Sequence, residues 1–163
     1  MKSLIVAAIF AVTFARTVVA AAQSSLPNPE LTPGATDPQV TQENIQQTIC
    51  VPGWSRGVRP PSRYTSALKR RQIRQYGYAD RHLSPYVEDH LIPLSLGGSP
   101  TDPRNLWPEP WLPPDGWTAD MKDALEAILP RLVCAGQLPL AEAQRAIASD
   151  WHLAYRRWVD PSR

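Results

Sequence analysis

Residues 88–110 read EDHLIPLSLGGSPTDPRNLWPEP, and the rest of the chain is understood outward from this stretch. Tyr86 and Val87 favour a strand, Pro93 interrupts any regular ladder, and Gly97-Gly98 supplies a turn. Residues 86–96 therefore predict two short strands or a strand and a loop. Asp102-Pro103 follows as a tight turn or helix start, a side-chain cap before a proline that needs no N–H. Into this frame are set the acidic pair Glu88 and Asp89, then His90, then Asn105.

Those residue types suit one kind of chemistry. A histidine neutral near pH 7 takes a proton from water, while a carboxylate and an amide oxygen are hard ligands for Mg²⁺. Phosphodiester cleavage needs both functions, because a nucleophile has to be generated and negative charge on the phosphate and leaving oxygen has to be neutralised. Strict strand alternation puts Glu88 and His90 on one face and Asp89 on the other, so Glu88 is a rival to Asp89 as ligand.

The flanks set the frame. Lys2, the apolar run Leu4 to Ala15 and Ala20-Ala21-Ala22 read as an export signal over residues 1–22, the run being too short to span a bilayer. The mature chain is expected to be periplasmic or secreted, with no membrane segment. Residues 23–39 carry few large apolar groups and many turn formers and predict an exposed linker or arm. Residues 40–163 suit a single domain. Two cysteines, Cys50 and Cys134, form an even pair that an oxidising compartment would bridge, and no CxxC is present to bind zinc.

Four helices are expected, over TQENIQQTI from a Thr41 cap, from Ser66 to Gly77, after a Thr118 cap to Gly136 with Pro130 as a kink, and from Leu140 to Trp158. The last buries Ala143, Ile147, Trp151 and Ala154. Trp107, Trp111 and Trp117 are expected as core plugs, and His82 and His152 as structural or surface groups.

Charge is informative by its distribution. Lys2 and Arg16 fall in the leader, so 15 of 17 basic residues remain to face 15 acidic ones. Between Trp54 and His82 eight basic residues meet Asp80 alone, whereas residues 83–163 hold seven basic and eleven acidic. Arg56, Arg59, Arg63, Lys69, Arg70, Arg71 and Arg74 are thus candidates for tracking nucleic-acid phosphates, set against the plain reading of a solvated helix face.

The pattern Asp-His-Leu-Ile-Pro-Leu-Ser-Leu-Gly-Gly, then Asp-x-x-Asn-Leu-Trp-Pro, resembles the HNH or His-Me finger endonucleases over about residues 84–134. The resemblance implies an α+β fold, a small and mostly helical domain around a ββα-metal hairpin-helix motif. It implies an exported endonuclease hydrolysing DNA or RNA, with His90 as general base, Asp89 as metal ligand, and Asn105 either a second ligand or the group that holds the loop and histidine. One divalent ion is implied, Mg²⁺ foremost, with Mn²⁺, Ca²⁺ or Zn²⁺ as alternatives. The final histidine or asparagine of that family's pattern, expected shortly after Asn105, is absent from residues 106–117. The following helix offers Asp120, Asp123 and Glu126 as replacement ligands and Lys122 as a phosphate contact. The alternative reading is an inactive exported protein that binds nucleic acid or another partner on the same scaffold.

Overall fold

A computed structural model describes residues 23–163, so the export signal expected over 1–22 lies outside the described residues. The chain is α+β. Strands β1 (Tyr86–His90) and β2 (Leu106–Pro110) pair antiparallel, with His90 opposite Leu106 and Tyr86 opposite Pro110. Among the described residues four α-helices accompany the pair: α1 (Trp54–Val58), α2 (Ser62–Gln75), α3 (Ala119–Cys134) and α4 (Leu140–Trp158). Among the described residues no helix is long and apolar enough to cross a membrane.

A two-stranded sheet is marginal alone, so its stability has to come from what covers it. On one side Ile73 and Tyr76 from the end of α2 join Tyr78, Tyr86, Leu91 and Trp107 in a buried cluster. The second cluster joins Leu125, Leu129 and Val133 of α3 to Ala143, Ile147, Trp151 and Ala154 of α4, with Ile92 and Leu96 from the loop between the strands. The spacing of the α4 residues is the helical stripe the sequence predicts.

Several boundaries differ from the sequence expectation, each for a local reason. TQENIQQTI forms a 3₁₀ segment, Gln42–Gln47, and Thr41 N–H donates to Asn44 Oδ1 at 2.9 Å. Residues 54–58, between Gly53 and Pro60-Pro61, form α1, and α2 starts at Ser62 directly after Pro61 rather than at Ser66. The backbone of α4 leaves helical geometry at Asp150 (φ −165°, ψ 97°). The Asp150 carboxylate restarts the helix by accepting from His152 N at 2.9 Å and Leu153 N at 3.1 Å, as an N-cap does. Trp107 and Trp117 are buried as expected, but Trp111 is 43% exposed and plugs nothing.

Residues 23–39 are not a free arm. Ser25 and Thr32 are buried. Trp151 Nε1 donates to Ser25 O at 2.8 Å, Gly34 N to Arg104 O at 2.9 Å and Ser99 N to Ala35 O at 2.8 Å. Backbone and small polar groups attach this segment, so composition alone could not reveal it. Cys50 and Cys134 are bonded, with Cα atoms 5.6 Å apart and 84 residues between them in sequence. Closing a loop of that length stabilises the fold by about 4–5 kcal/mol on the chain-entropy model.

The two adjacent glycines serve different needs. Gly97 has φ 69°, a conformation other residues rarely adopt. Gly98 is pressed against the chain: a Cβ there would lie 1.7 Å from Ile92 O and 2.8 Å from Asn105 Nδ2. Gly98→Ala is expected to cost about 3 kcal/mol or more, the upper range for overpacking, and to lower Tm by roughly 10 °C. Gly53 also has positive φ (88°), but a Cβ there would meet nothing within 4 Å, so Gly53→Ala should cost only about 1 kcal/mol. Equal losses in thermal denaturation would contradict the close-approach account.

Candidate functional site

The site begins with how β1 ends. His90 is the last residue of the strand, and the next backbone bond, Leu91 N to Asn105 O at 2.8 Å, joins the chain to the residue just before β2. Asn105 is fully buried and its side chain is committed to the loop. Its Oδ1 accepts from Ile92 N at 3.0 Å and Ala35 N at 3.4 Å, and its Nδ2 donates to Ile92 O and Ser99 O, both at 3.0 Å. Of the two roles left open by the sequence, holding the loop is the one this geometry serves. Its oxygen is turned to backbone N–H groups and is not offered to an ion.

That loop presents a carbonyl to the histidine. His90 Nε2 lies 3.0 Å from Pro100 O. A carbonyl only accepts, so Nε2 carries the hydrogen and the lone pair of the neutral ring is on Nδ1, which takes no hydrogen bond from the described residues. Burial pushes the His90 pKa below its ordinary value against the opposing pull of Pro100 O and Asp89, and Arg59 and Lys122 add to the depression. The ring is therefore neutral at pH 7.

Asp89, His90, Glu126 and Arg59 line one cavity of about 60 Å³, together with Ser55, Pro93, Leu94 and Ser95. The structure thus gathers residues from β1, α1 and its C-terminal edge, the loop and α3. Glu88 is directed elsewhere. Both its oxygens are buried without a hydrogen-bond partner, and its nearest cationic influences are Lys69 and Arg71 of α2. Burial raises its pKa to about 8. Asp123 and Asp120 are exposed and do not line the cavity.

Lys122 corrects the sequence expectation most clearly. It does not reach toward a phosphate: its side chain is only 1% exposed. Its Nζ bonds Asp89 Oδ2 at 2.5 Å, His90 O at 3.1 Å and Glu126 Oε1. Burial alone would lower the Lys122 pKa, but Asp89, Glu126 and Glu109 together hold it above its usual value, so the ammonium stays charged. Glu126 and the buried Glu109 are raised, chiefly by burial. Position 122 lies one helical turn before Glu126, and a lysine there on an otherwise apolar face is the signal that sequence reasoning passed over.

Among the described residues Asp89 and Glu126 each keep one carboxylate oxygen that accepts no hydrogen bond. Among the described residues no three His, Cys, Asp or Glu side chains form a preassembled ion cage. Two carboxylates on a polar cavity nevertheless fit Mg²⁺, which is commonly held by one or two such groups and completes its shell with water.

The basic candidates disperse. Arg59 lines the His90 cavity. Lys69 is committed to backbone, donating to Leu83 O at 3.1 Å and Tyr86 O at 2.7 Å, and is not available as a phosphate contact. Arg56, Arg63 and Arg71 are exposed, and Arg70 and Arg74 line a separate cavity with Arg81. His82 is exposed and pairs with Asp80, while His152 stacks on Trp117 with centroids 4.2 Å apart. No family model, curated protein or solved structure matches the chain.

The isolation of Glu88 has a measurable consequence. Its folded-state pKa of about 8 exceeds the ordinary 4.5, so the folded state binds this proton more tightly than the unfolded state. The contribution is fully present below about pH 4.5 and is lost as pH rises through about 8. Glu88→Gln is expected to flatten the decline of unfolding free energy between pH 5 and 9, by up to about 1.4 kcal/mol per pH unit. Denaturant titrations giving parallel pH curves for variant and wild type would contradict this placement of Glu88.

Proposed function

We propose that the protein is an exported metal-dependent endonuclease of the His-Me finger type, hydrolysing nucleic-acid phosphodiesters at the His90 cavity. The observation that carries this reading is the imidazole fixed through Nε2 on Pro100 O, sharing a cavity with Asp89 and Glu126. The β1–loop–β2–α3 order around Asn105 supports it, as does the bridge between Cys50 and Cys134, which suits an oxidising compartment.

In this mechanism Nδ1 of His90 accepts a proton from water as the water oxygen attacks phosphorus, and the P–O bond to the leaving strand breaks in line. The departing oxygen takes its proton from solvent. Asp89 and Glu126 would hold a divalent ion, which would supply positive charge to the phosphate and leaving oxygen. Arg59, at the cavity wall, orients the phosphate by its guanidinium fork. Lys122 fixes the two carboxylates from behind.

A second reading, a nucleic-acid-binding or interaction protein without turnover, is favoured by the same Lys122, whose charge already offsets Asp89 and Glu126. Salt-sensitive DNA binding that His90→Ala leaves intact, with no cleavage, would support it.

The purified protein is to be incubated with plasmid DNA, and separately with RNA, in Mg²⁺, Mn²⁺, Ca²⁺ or Zn²⁺. His90→Ala is expected to reduce cleavage by about 10²–10⁴-fold, the usual contribution of a general base. The rate should climb with pH on a limb whose midpoint lies below about 6.5, since burial depresses the histidine. Wild type and His90→Ala equally inactive with every ion would end the nuclease reading.

A further inference from the structure

Arg70, Arg74 and Arg81 line an open cavity of about 470 Å³ with Ile73 and Leu83, sharing no residue with the cavity at His90. Arg70 and Arg74 stand one helical turn apart on α2, and Arg81 comes from the loop beyond, its Nη1 donating to Ile73 O at 3.4 Å. Among the described residues none of the three forms an ion pair with a carboxylate. The neighbouring acid, Asp80, is engaged by His82. Three arginines lining one cavity, none of them ion-paired, bring like charges near one another, an arrangement that an anion would relieve.

The chemistry of the walls narrows the anion. Guanidinium forks match the oxygens of a phosphate, and Ile73 and Leu83 offer an apolar surface beside them. The volume falls within the range of about 300–1,000 Å³ typical of small-molecule sites. A phosphomonoester carries about −1.5 to −2 charge at pH 7. It thus compensates three cations better than a single-charged diester or carboxylate.

We propose that Arg70, Arg74 and Arg81 form a binding site for a phosphomonoester carried on an apolar or heterocyclic body, such as a nucleoside monophosphate or the phosphorylated end of a strand. The site does not depend on the nuclease reading, because it is measurable in a protein that cannot cleave.

Calorimetric titration of the full protein and of His90→Ala at low salt tests this with four probes: adenosine monophosphate, adenosine, and a short oligonucleotide with a 5′-phosphate or a 5′-hydroxyl. Binding of the phosphorylated probes is expected to survive His90→Ala. It should weaken by roughly tenfold or more in Arg74→Ala and in Arg81→Ala, as loss of a charge-assisted hydrogen bond implies. It should weaken again as pH falls through about 6, where the monoester gains a proton. Binding of the mononucleotide identifies a free nucleotide as sufficient, and binding of the 5′-phosphorylated oligonucleotide alone identifies a strand end. Equal binding of phosphorylated and unphosphorylated probes, or no effect of either arginine substitution, overturns the proposal. All three arginines are exposed, so their loss leaves the core intact, which unchanged thermal unfolding would verify.

Discussion

The amide of Asn105 is the fixed point of this structure. One side chain satisfies both the N–H and the carbonyl of Ile92, and also binds Ser99 O and Ala35 N. It thereby ties together four pieces of chain that lie outside the helices and beyond the end of the β1–β2 ladder. A buried backbone group left without a partner costs about 1–3 kcal/mol, so removing this side chain would expose several such costs together. Gly98 follows from the same constraint, since any Cβ there would strike the Ile92 carbonyl that Asn105 holds. The placement of His90 follows too. Ser99 is held by Asn105, and the next residue, Pro100, presents the oxygen that fixes the imidazole.

Lys122 imposes a second constraint, electrostatic in kind. Burying an ammonium is costly unless its charges are matched, and Asp89, Glu126 and the carbonyl of His90 match it. In return the two carboxylates lose their freedom to rotate away from the cavity, and α3 is tied to the end of β1. Removing the lysine while keeping both acids would leave adjacent carboxylates in a half-buried wall with no cation between them, a change of the kind that costs about 3–5 kcal/mol.

Much of this was legible in the sequence, and the parts that were not share a cause. Periodicity exposed α4 and its buried stripe because burial of apolar groups leaves a repeating mark. The strand-turn reading of residues 86–98 and the pairing of two cysteines rested on residue types with narrow conformational or chemical uses. The packing of residues 23–39 rests instead on backbone hydrogen bonds, small polar side chains and only two large apolar residues, Leu26 and Leu31, so its composition suggested a loose arm. Lys122 was misread because lysines are rarely buried, and only the arrival of Asp89 from a distant strand makes its burial tolerable. Alternation put Glu88 beside His90, yet the strand ends at His90, and the bend there lets Asp89 and His90 share a cavity while Glu88 faces α2.

The electrostatics of the cavity bear on whether a phosphodiester could enter it. Two ionised carboxylates alone would repel a phosphate, and a site with that balance would need its metal ion before any substrate. Here Lys122 lies behind the carboxylates and Arg59 lies at the wall, so fixed positive charge already stands on both sides of them. Under the proposed reading the cavity is therefore close to neutral toward an incoming strand before any ion is bound. On that reading the exposed arginines of α2 would only bring the strand near, and the chemistry would fall to His90, whose Nδ1 is the nitrogen left over once Nε2 is held by Pro100 O.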